Sequence, residues 1–142
     1  MQVLQTQNQI REARNVMLQK GISALDSPLR SFMRRLRLIN GASVGDDQKS
    51  WDVLSTVEFI EKNVPKVEAV ADIGCYASEV LISLHKLGYT DLTGIDLSPK
   101  LAAMPYREAI HYEVGNFMKT PFPNESFKAM SNTAFSAQTI IG

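Results

Sequence analysis

Residues 67–100 read VEAVADIGCYASEVLISLHKLGYTDLTGIDLSPK, and this stretch decides the fold. An apolar strand ends at a tight turn around Gly74, and a helix follows that Gly88 ends. A second apolar strand then runs to Leu97. Further along, residues 110–114 and 127–134 are predicted as a third and a fourth strand. Strands that alternate with short helices predict an α/β fold with a mainly parallel sheet covered on both faces.

Two aspartates lie at the ends of the first two predicted strands. Asp96 follows Asp72 by twenty-four residues. In a doubly wound sheet, ligands bind beyond the carboxyl ends of the strands, where the strand order reverses. Gly74 would let the backbone approach a ligand closely, and the Asp96 carboxylate can accept both hydroxyl groups of a ribose. The spacing therefore predicts a nucleoside site.

The turn after the first strand narrows the choice of nucleoside. It keeps Gly74 but not the other glycines of the G-x-G-x-x-G pattern, and Glu79 puts an anion where a pyrophosphate would lie. Both features disfavour NAD and FAD. They favour a ligand with no phosphate and with a positive centre, and S-adenosylmethionine is such a ligand.

Three segments resemble the class I S-adenosylmethionine-dependent methyltransferases. VADIGCYASE (70–79) resembles the first motif of that family, and LTGIDLSP (92–99) resembles the acidic end of its second strand. VGNFMKTPFPNESFKAM (114–130) resembles the segment around strands three and four. The resemblance implies a Rossmann-like, doubly wound sheet with S-adenosylmethionine as the cofactor.

The resemblance also implies which positions bind the cofactor. They follow the first three strands and are Asp72, Gly74, Cys75, Tyr76, Asp96, Leu97, Asn116 and Phe117. By position, the first four would surround the methionine part, Asp96 would hold the ribose, and Leu97 and Phe117 would flank the adenine. Asn116 stands where the family often has an Asp, and its side-chain oxygen can still accept a hydrogen bond. No catalytic base and no metal site are predicted.

Tyr76 and Ser78 replace the second and third glycines of the family motif. If the turn requires a positive φ at these two positions, each of them costs on the order of 1 kcal/mol or more. The side chain of Tyr76 would narrow the pocket, stack on the ligand or close the site.

Residues 1–64 are predicted to form helices that precede the partial cofactor-binding core of residues 65–142, within a single domain. The helix at 28–39 is basic and amphipathic, with Ser27 as its N-cap. Such a helix either lies on a membrane surface or packs on its own domain, and packing is the favoured interpretation. The helical segment would serve as a cap or lid and as part of the acceptor pocket.

A net charge of zero hides an asymmetry between the two ends of the chain. Residues 1–40 carry seven basic and two acidic residues, so the remaining eight basic and thirteen acidic residues lie in 41–142. A basic arm of this kind either meets an anion or packs on the acidic body. We expect the second arrangement.

The family sheet usually has seven strands, whereas this chain is predicted to end after strand four. We therefore expect a fragment, or a shifted reading frame near residue 130, that lacks the carboxyl-terminal strands. The fourth strand would then be an open edge through which copies of the chain self-associate.

Composition limits the remaining classes. The chain has 142 residues, 44% of them hydrophobic, and a single cysteine, which excludes a disulfide framework. It contains no apolar run of membrane-spanning length and no signal-peptide core, so we expect a cytoplasmic protein. We also expect that it binds no nucleic acid.

The predicted function is methyl transfer to a small-molecule, lipid or glycan-precursor acceptor. The alternatives are a truncated, non-catalytic cofactor-binding remnant and a nucleotide-binding oxidoreductase domain.

Overall fold

The computed structural model describes residues 6–25, 27–119, 129–132 and 138–141. Its helices are α1 (Gln7–Gln19), α2 (Pro28–Arg35), α3 (Ser50–Asn63) and α4 (Val80–Lys86). Its strands are β1 (Val70–Ile73), β2 (Leu92–Asp96), β3 (His111–Val114), β4 (Ala129–Asn132) and β5 (Gln138–Ile141). Short 3-10 helices lie at Asp47–Lys49, Pro99–Ala103 and Phe117–Lys119.

The five strands form one sheet in the order β3-β2-β1-β4-β5. The first four are parallel, and β5 runs antiparallel to β4. The chain moves outward from β1 to β3 and then returns to the other side of β1, so the strand order reverses beside β1. The predicted doubly wound, mainly parallel α/β sheet is confirmed.

The expectation that β4 forms an open edge is wrong. Residues 129–132 pair with 138–141, so β4 lies inside the sheet. The sequence did not indicate this strand because Gln138–Ile141 is a short, uncharged stretch with no turn signal before it. The segments at 120–128 and 133–137, which include part of the third family motif, lie outside the described residues.

The inner strands are buried because apolar and small residues fill them. Val70, Ala71 and Leu92 are at most 2% exposed. Gly94 has no side chain, and a Cβ there would lie 2.7 Å from the Cys75 sulfur and 2.8 Å from the ring of Tyr112. The glycine therefore lets the turn after β1 pack directly against β2.

Helix ends lie at capping residues, and those predicted at Ser27 and Gly88 are confirmed. Gly21 and Gly88 have φ values of 67° and 96° where they end α1 and α4, and the Ser27 side chain accepts a hydrogen bond from the backbone of Arg30. α2, however, ends at Arg35 and not at residue 39, because Arg37 takes the left-handed conformation with φ 57°. Ser50 is the first residue of α3, and Lys49 precedes it at the N-cap position.

α1 and α3 pack on the sheet in one buried cluster. Met17, Val57 and Ile60 are fully buried and belong to the same cluster as Val70 and Leu84. Residues of the amino-terminal segment and of the sheet therefore share a core.

A buried ion pair ties α1 to the turn between β1 and α4. The Arg14 guanidinium donates from Nη2 to Oε2 of Glu79 at 2.7 Å and from Nη1 to Oε1 at 3.0 Å. Arg14 is 8% exposed and Glu79 is 1% exposed. The Arg14 Nε also donates to the hydroxyl of Ser50 at 2.9 Å. The expected packing of the basic arm on the acidic body is confirmed for α1.

α2 departs from the expectation that it packs on its own domain. None of its residues is buried, and the side chains of Leu29 and Phe32, and of Leu36 directly after the helix, are more than half exposed. Within the described part of the chain, no helix is long and apolar enough to cross a membrane. The flank of α2 that carries Met33 and Arg34 is half-buried, and the Arg34 guanidinium donates to the carbonyl of Gly41.

Candidate cofactor site

The carboxyl ends of β1 and β2 bring the two predicted aspartates to one edge of the sheet. Asp72 is in register with Gly94, and Ile73 is in register with Ile95, the residue before Asp96. The backbone N–H of Gly74 donates to the carbonyl of Ile95 at 2.8 Å, which holds the turn after β1 against the end of β2. Sequence reasoning therefore placed these residues correctly relative to one another.

Two backbone amides fix the carboxylate of Asp96. Its Oδ2 accepts from the N–H of Tyr76 at 3.0 Å, and its Oδ1 accepts from the N–H of Ser98 at 2.7 Å. Each carboxylate oxygen has a second lone pair, so further donors can still bind. The half-buried Asp96 thus combines a fixed position with spare acceptor capacity.

Asp72 lies deeper than Asp96 and is fully buried. Its Oδ2 accepts from the hydroxyl of Ser78 at 3.0 Å. Cys75 is also buried, and burial, followed by the charges of Asp72 and Asp96, raises the pKa of its thiol. The thiol therefore stays protonated and is a poor nucleophile.

The strain expected at Tyr76 and Ser78 does not arise, because the turn is left-handed at other positions. Gly74 has φ 72° and Ala77 has φ 61°. Two hydrogen bonds hold the backbone of Ala77. Its carbonyl accepts from the N–H of Gly45 at 2.8 Å, and its N–H donates to the Met104 sulfur at 3.4 Å.

Tyr76 is half-buried, and its ring packs against the hydrophobic core. The backbone N–H of Tyr76, which donates to Asp96, is the part of this residue that lies at the carboxyl edge of the sheet.

The residues after β3 reach the same edge. The N–H of Gly115 donates to the carbonyl of Asp96 at 2.9 Å. The side-chain oxygen of Asn116 accepts from the N–H of Met118 at 3.0 Å, so it already serves as a local cap. Phe117 is half-buried.

Exposed apolar side chains flank these polar groups. Leu97 is 72% exposed and Met118 is 86% exposed. A carboxylate beside apolar side chains suits a ligand with hydroxyl donors and a flat apolar ring.

The donor set of this edge fits a nucleoside that carries a positive centre. Asp96 offers acceptors for hydroxyl groups, and Asp72 adds a buried carboxylate beneath the turn. The expectation that Glu79 presents its charge to a ligand is wrong, because the residue is buried and its carboxylate pairs with Arg14. The carboxylates of Asp72 and Asp96 favour a cationic ligand over a pyrophosphate.

Residues 71–137, just under half of the chain, match a family model described as a methyltransferase domain. This segment is a class I, S-adenosylmethionine-dependent methyltransferase domain. Its cofactor is S-adenosylmethionine, the methyl donor of that domain family. No curated protein matches the chain in sequence. The methyltransferase domain includes the turn, both aspartates and the residues after β3.

Sequence reasoning missed the residues that support this site. Ser98 follows Asp96 by two positions, and the D-x-S spacing is typical of an Asx turn, so a signal was present. Ser78 holds Asp72 across six residues, and Met104 and Gly45 hold Ala77 from more distant parts of the chain. No local pattern indicates the contacts of Met104 and Gly45.

The hydroxyl of Tyr112 is also buried near the turn. Tyr112 of β3 has a raised pKa because burial disfavours its ionised form, and the charge of Asp72 acts in the same direction. Among the described residues its hydroxyl has no hydrogen-bond partner. Tyr112 therefore remains a neutral phenol.

Proposed function

We propose that this protein transfers the methyl group of S-adenosylmethionine to a small-molecule, lipid or glycan-precursor acceptor. The proposed cofactor contacts lie along the carboxyl edge of β1, β2 and β3. They are Asp72, Gly74, Cys75, Tyr76, Asp96, Leu97, Asn116 and Phe117.

One observation carries the proposal, namely the fixed carboxylate at the end of β2. The amides of Tyr76 and Ser98 orient Asp96 before any ligand binds, so its free lone pairs can meet two ribose hydroxyls without reorganisation. Leu97, beside it, offers an exposed apolar side chain for one face of an adenine ring.

Methyl transfer requires little acid–base chemistry from the protein. The bound cofactor supplies an activated methyl group on a sulfonium, and the protein contributes mainly alignment of the acceptor. The neutral thiol of Cys75 and the neutral phenol of Tyr112 agree with a site that orients reactants and does not ionise them.

The amino-terminal segment is the proposed cap over this edge. Gly45 and Ala42 donate from their backbones to the carbonyls of Ala77 and Ala103, so the loop before α3 lies against the turn. A cavity of about 230 Å³ opens between α2, this loop and α4, and its lining includes Arg34, Lys86 and Tyr106.

Cofactor binding tests the proposal through Asp96→Ala. Calorimetry should give an affinity for S-adenosylmethionine lowered by at least about 100-fold, because two hydrogen bonds to a charged acceptor are lost. Asp91→Ala is the matched control, since the exposed Asp91 precedes the opposite end of β2 and should leave the affinity unchanged. An unchanged affinity in Asp96→Ala, with the variant still folded by circular dichroism, would contradict the ribose contact.

The two alternatives are separated by ligand choice and by turnover. Tighter binding of NAD than of S-adenosylmethionine would favour the oxidoreductase domain. Cofactor binding without release of S-adenosylhomocysteine, across small-molecule, lipid and glycan-precursor acceptors, would favour the non-catalytic remnant.

A further inference from the structure

The exposed face of α2 is a convex apolar ridge. Leu29, Phe32 and Leu36 are 67%, 58% and 52% exposed, and Leu38 in the following turn is 67% exposed. The spacing of 29, 32 and 36 places these side chains on one side of the helix. Single exposed apolar residues are ordinary on monomeric proteins, so three on one side of a helix, followed by Leu38 in the next turn, indicate a surface that binds something.

Arginines flank this ridge. Residues 27–45 contain four arginines and neither Asp nor Glu: Arg30, Arg34, Arg35 and Arg37. On a helical projection, Arg30 and Arg34 lie on one side of the apolar stripe and Arg35 on the other. Arg35 therefore gives the apolar strip an exposed positive border on one side, whereas Arg34, on the other side, donates to the carbonyl of Gly41.

The charge and the shape of this surface together indicate which kind of partner binds it. A second copy of the chain would bring the same arginine-rich patch face to face across a two-fold axis, and like charges would repel. A stable protein partner usually covers 20–30 residues on each side, far more than one short convex helix offers. A bilayer with anionic headgroups accepts a ridge of this size, because apolar side chains insert while arginines reach the phosphates.

We propose that α2 with its following turn is a peripheral docking site for anionic phospholipid membranes. Phe32, Leu36 and their neighbours insert at the level of the headgroups, and Arg35 and Arg37 bind lipid phosphates. The helix lies in the plane of the membrane surface. This interaction goes beyond methyl transfer and does not rest on cofactor binding.

Co-sedimentation of the full chain with lipid vesicles tests the proposal without any cofactor. The wild type should bind vesicles of phosphatidylcholine mixed with phosphatidylserine, and binding should fall with added salt. Vesicles of phosphatidylcholine alone should bind much more weakly. Equal binding to both vesicle types, or to neither, would overturn the proposal.

Two variants separate the apolar ridge from the arginines. Phe32→Ser combined with Leu36→Ser should weaken binding by about tenfold or more, because both side chains insert. Arg35→Gln combined with Arg37→Asn should weaken it by about 25-fold, since each lysine or arginine near an anionic surface contributes about fivefold.

Matched controls come from α1. Leu18 is 59% exposed, close to the value for Phe32, so Leu18→Ser removes a similar side chain outside the ridge. Arg11→Gln removes an exposed charge from α1. Both controls should bind like the wild type and unfold at the same temperature.

Three results count against the docking site. The double serine variant could bind as well as the wild type, or Leu18→Ser could weaken binding equally. A wild-type dimer that Phe32→Ser dissociates in sedimentation velocity would instead assign the ridge to a second copy of the chain.

Discussion

α1 and α2 are both amphipathic helices of one basic segment, yet the structure uses them in opposite ways. α1 buries Ile10, Ala13 and Met17 and places the guanidinium of Arg14 on Glu79. α2 buries nothing and turns its apolar stripe outward. The difference lies in the partner, because the turn after β1 supplies α1 with a buried carboxylate. An amphipathic pattern therefore specifies a helix face without specifying what covers it.

The largest expected effect is on the ion pair that makes α1 part of the core. Arg14→Met should lower the free energy of unfolding by about 3–5 kcal/mol, because Glu79 would be left as an uncompensated buried charge. Urea denaturation measures the loss. Adding Glu79→Gln should recover much of it, since a neutral amide oxygen can still accept from the N–H of Ala24.

Arg11→Met is the control for the ion pair. Arg11 lies exposed on α1, so its replacement should change stability by less than about 0.5 kcal/mol. Equal losses in Arg11→Met and Arg14→Met would show that α1 is not anchored through Glu79.

A substitution at Gly45 tests how tightly the loop between α2 and α3 packs on the carboxylate of Glu79. It has φ 89°, and a Cβ there would lie 2.6 Å from a Leu25 methyl group and 2.7 Å from Cδ of Glu79. Gly45→Ala should therefore cost about 2 kcal/mol or more, from both strain and crowding.

Gly41→Ala is the reference for Gly45→Ala. Gly41 also has a positive φ, but its nearest neighbours would be 3.6 Å away, so only the conformational part of the cost applies. If urea denaturation gives the same loss of unfolding free energy for both variants, the close packing of Gly45 on Glu79 does not contribute to stability.

The smallest effect compares the ends of the two helices. The left-handed residue after α1 is Gly21, with φ 67°, and the one after α2 is Arg37, with φ 57°. In both, the residue after the left-handed one donates back five residues, from Ile22 to Met17 and from Leu38 to Met33. The two ends share one capping motif and differ in the residue at its left-handed position.

Exchanging the residue type should move stability in opposite directions. Gly21→Ala should lower the free energy of unfolding by about 1 kcal/mol, although no atom crowds the new Cβ. Arg37→Gly should raise it by about 0.5 kcal/mol, because the relief of strain exceeds the added chain entropy. Thermal unfolding of both variants measures the shifts. A loss of stability in Arg37→Gly would contradict the motif.

Much of the candidate site followed from short-range patterns. The apolar runs before Asp72 and Asp96 fixed two parallel strands, and the crossover helix between them made the strands neighbours. The contacts that hold the site were not accessible in this way. Gly45 reaches Ala77 from 32 positions away, and only the folded chain brings their backbones together.

The sequence by itself determined the helix caps at Ser27 and Gly88 and the alternation of strands and helices. These features depend on residues within about one helical turn, where steric and hydrogen-bonding preferences act directly. Only the tertiary structure decided that Arg14 pairs with Glu79, 65 positions away, and that β5 forms an antiparallel pair with β4. It also decided that the ridge of α2 faces solvent. Such outcomes depend on which distant surfaces meet, because burial and charge pairing are properties of the packed chain and not of a local segment.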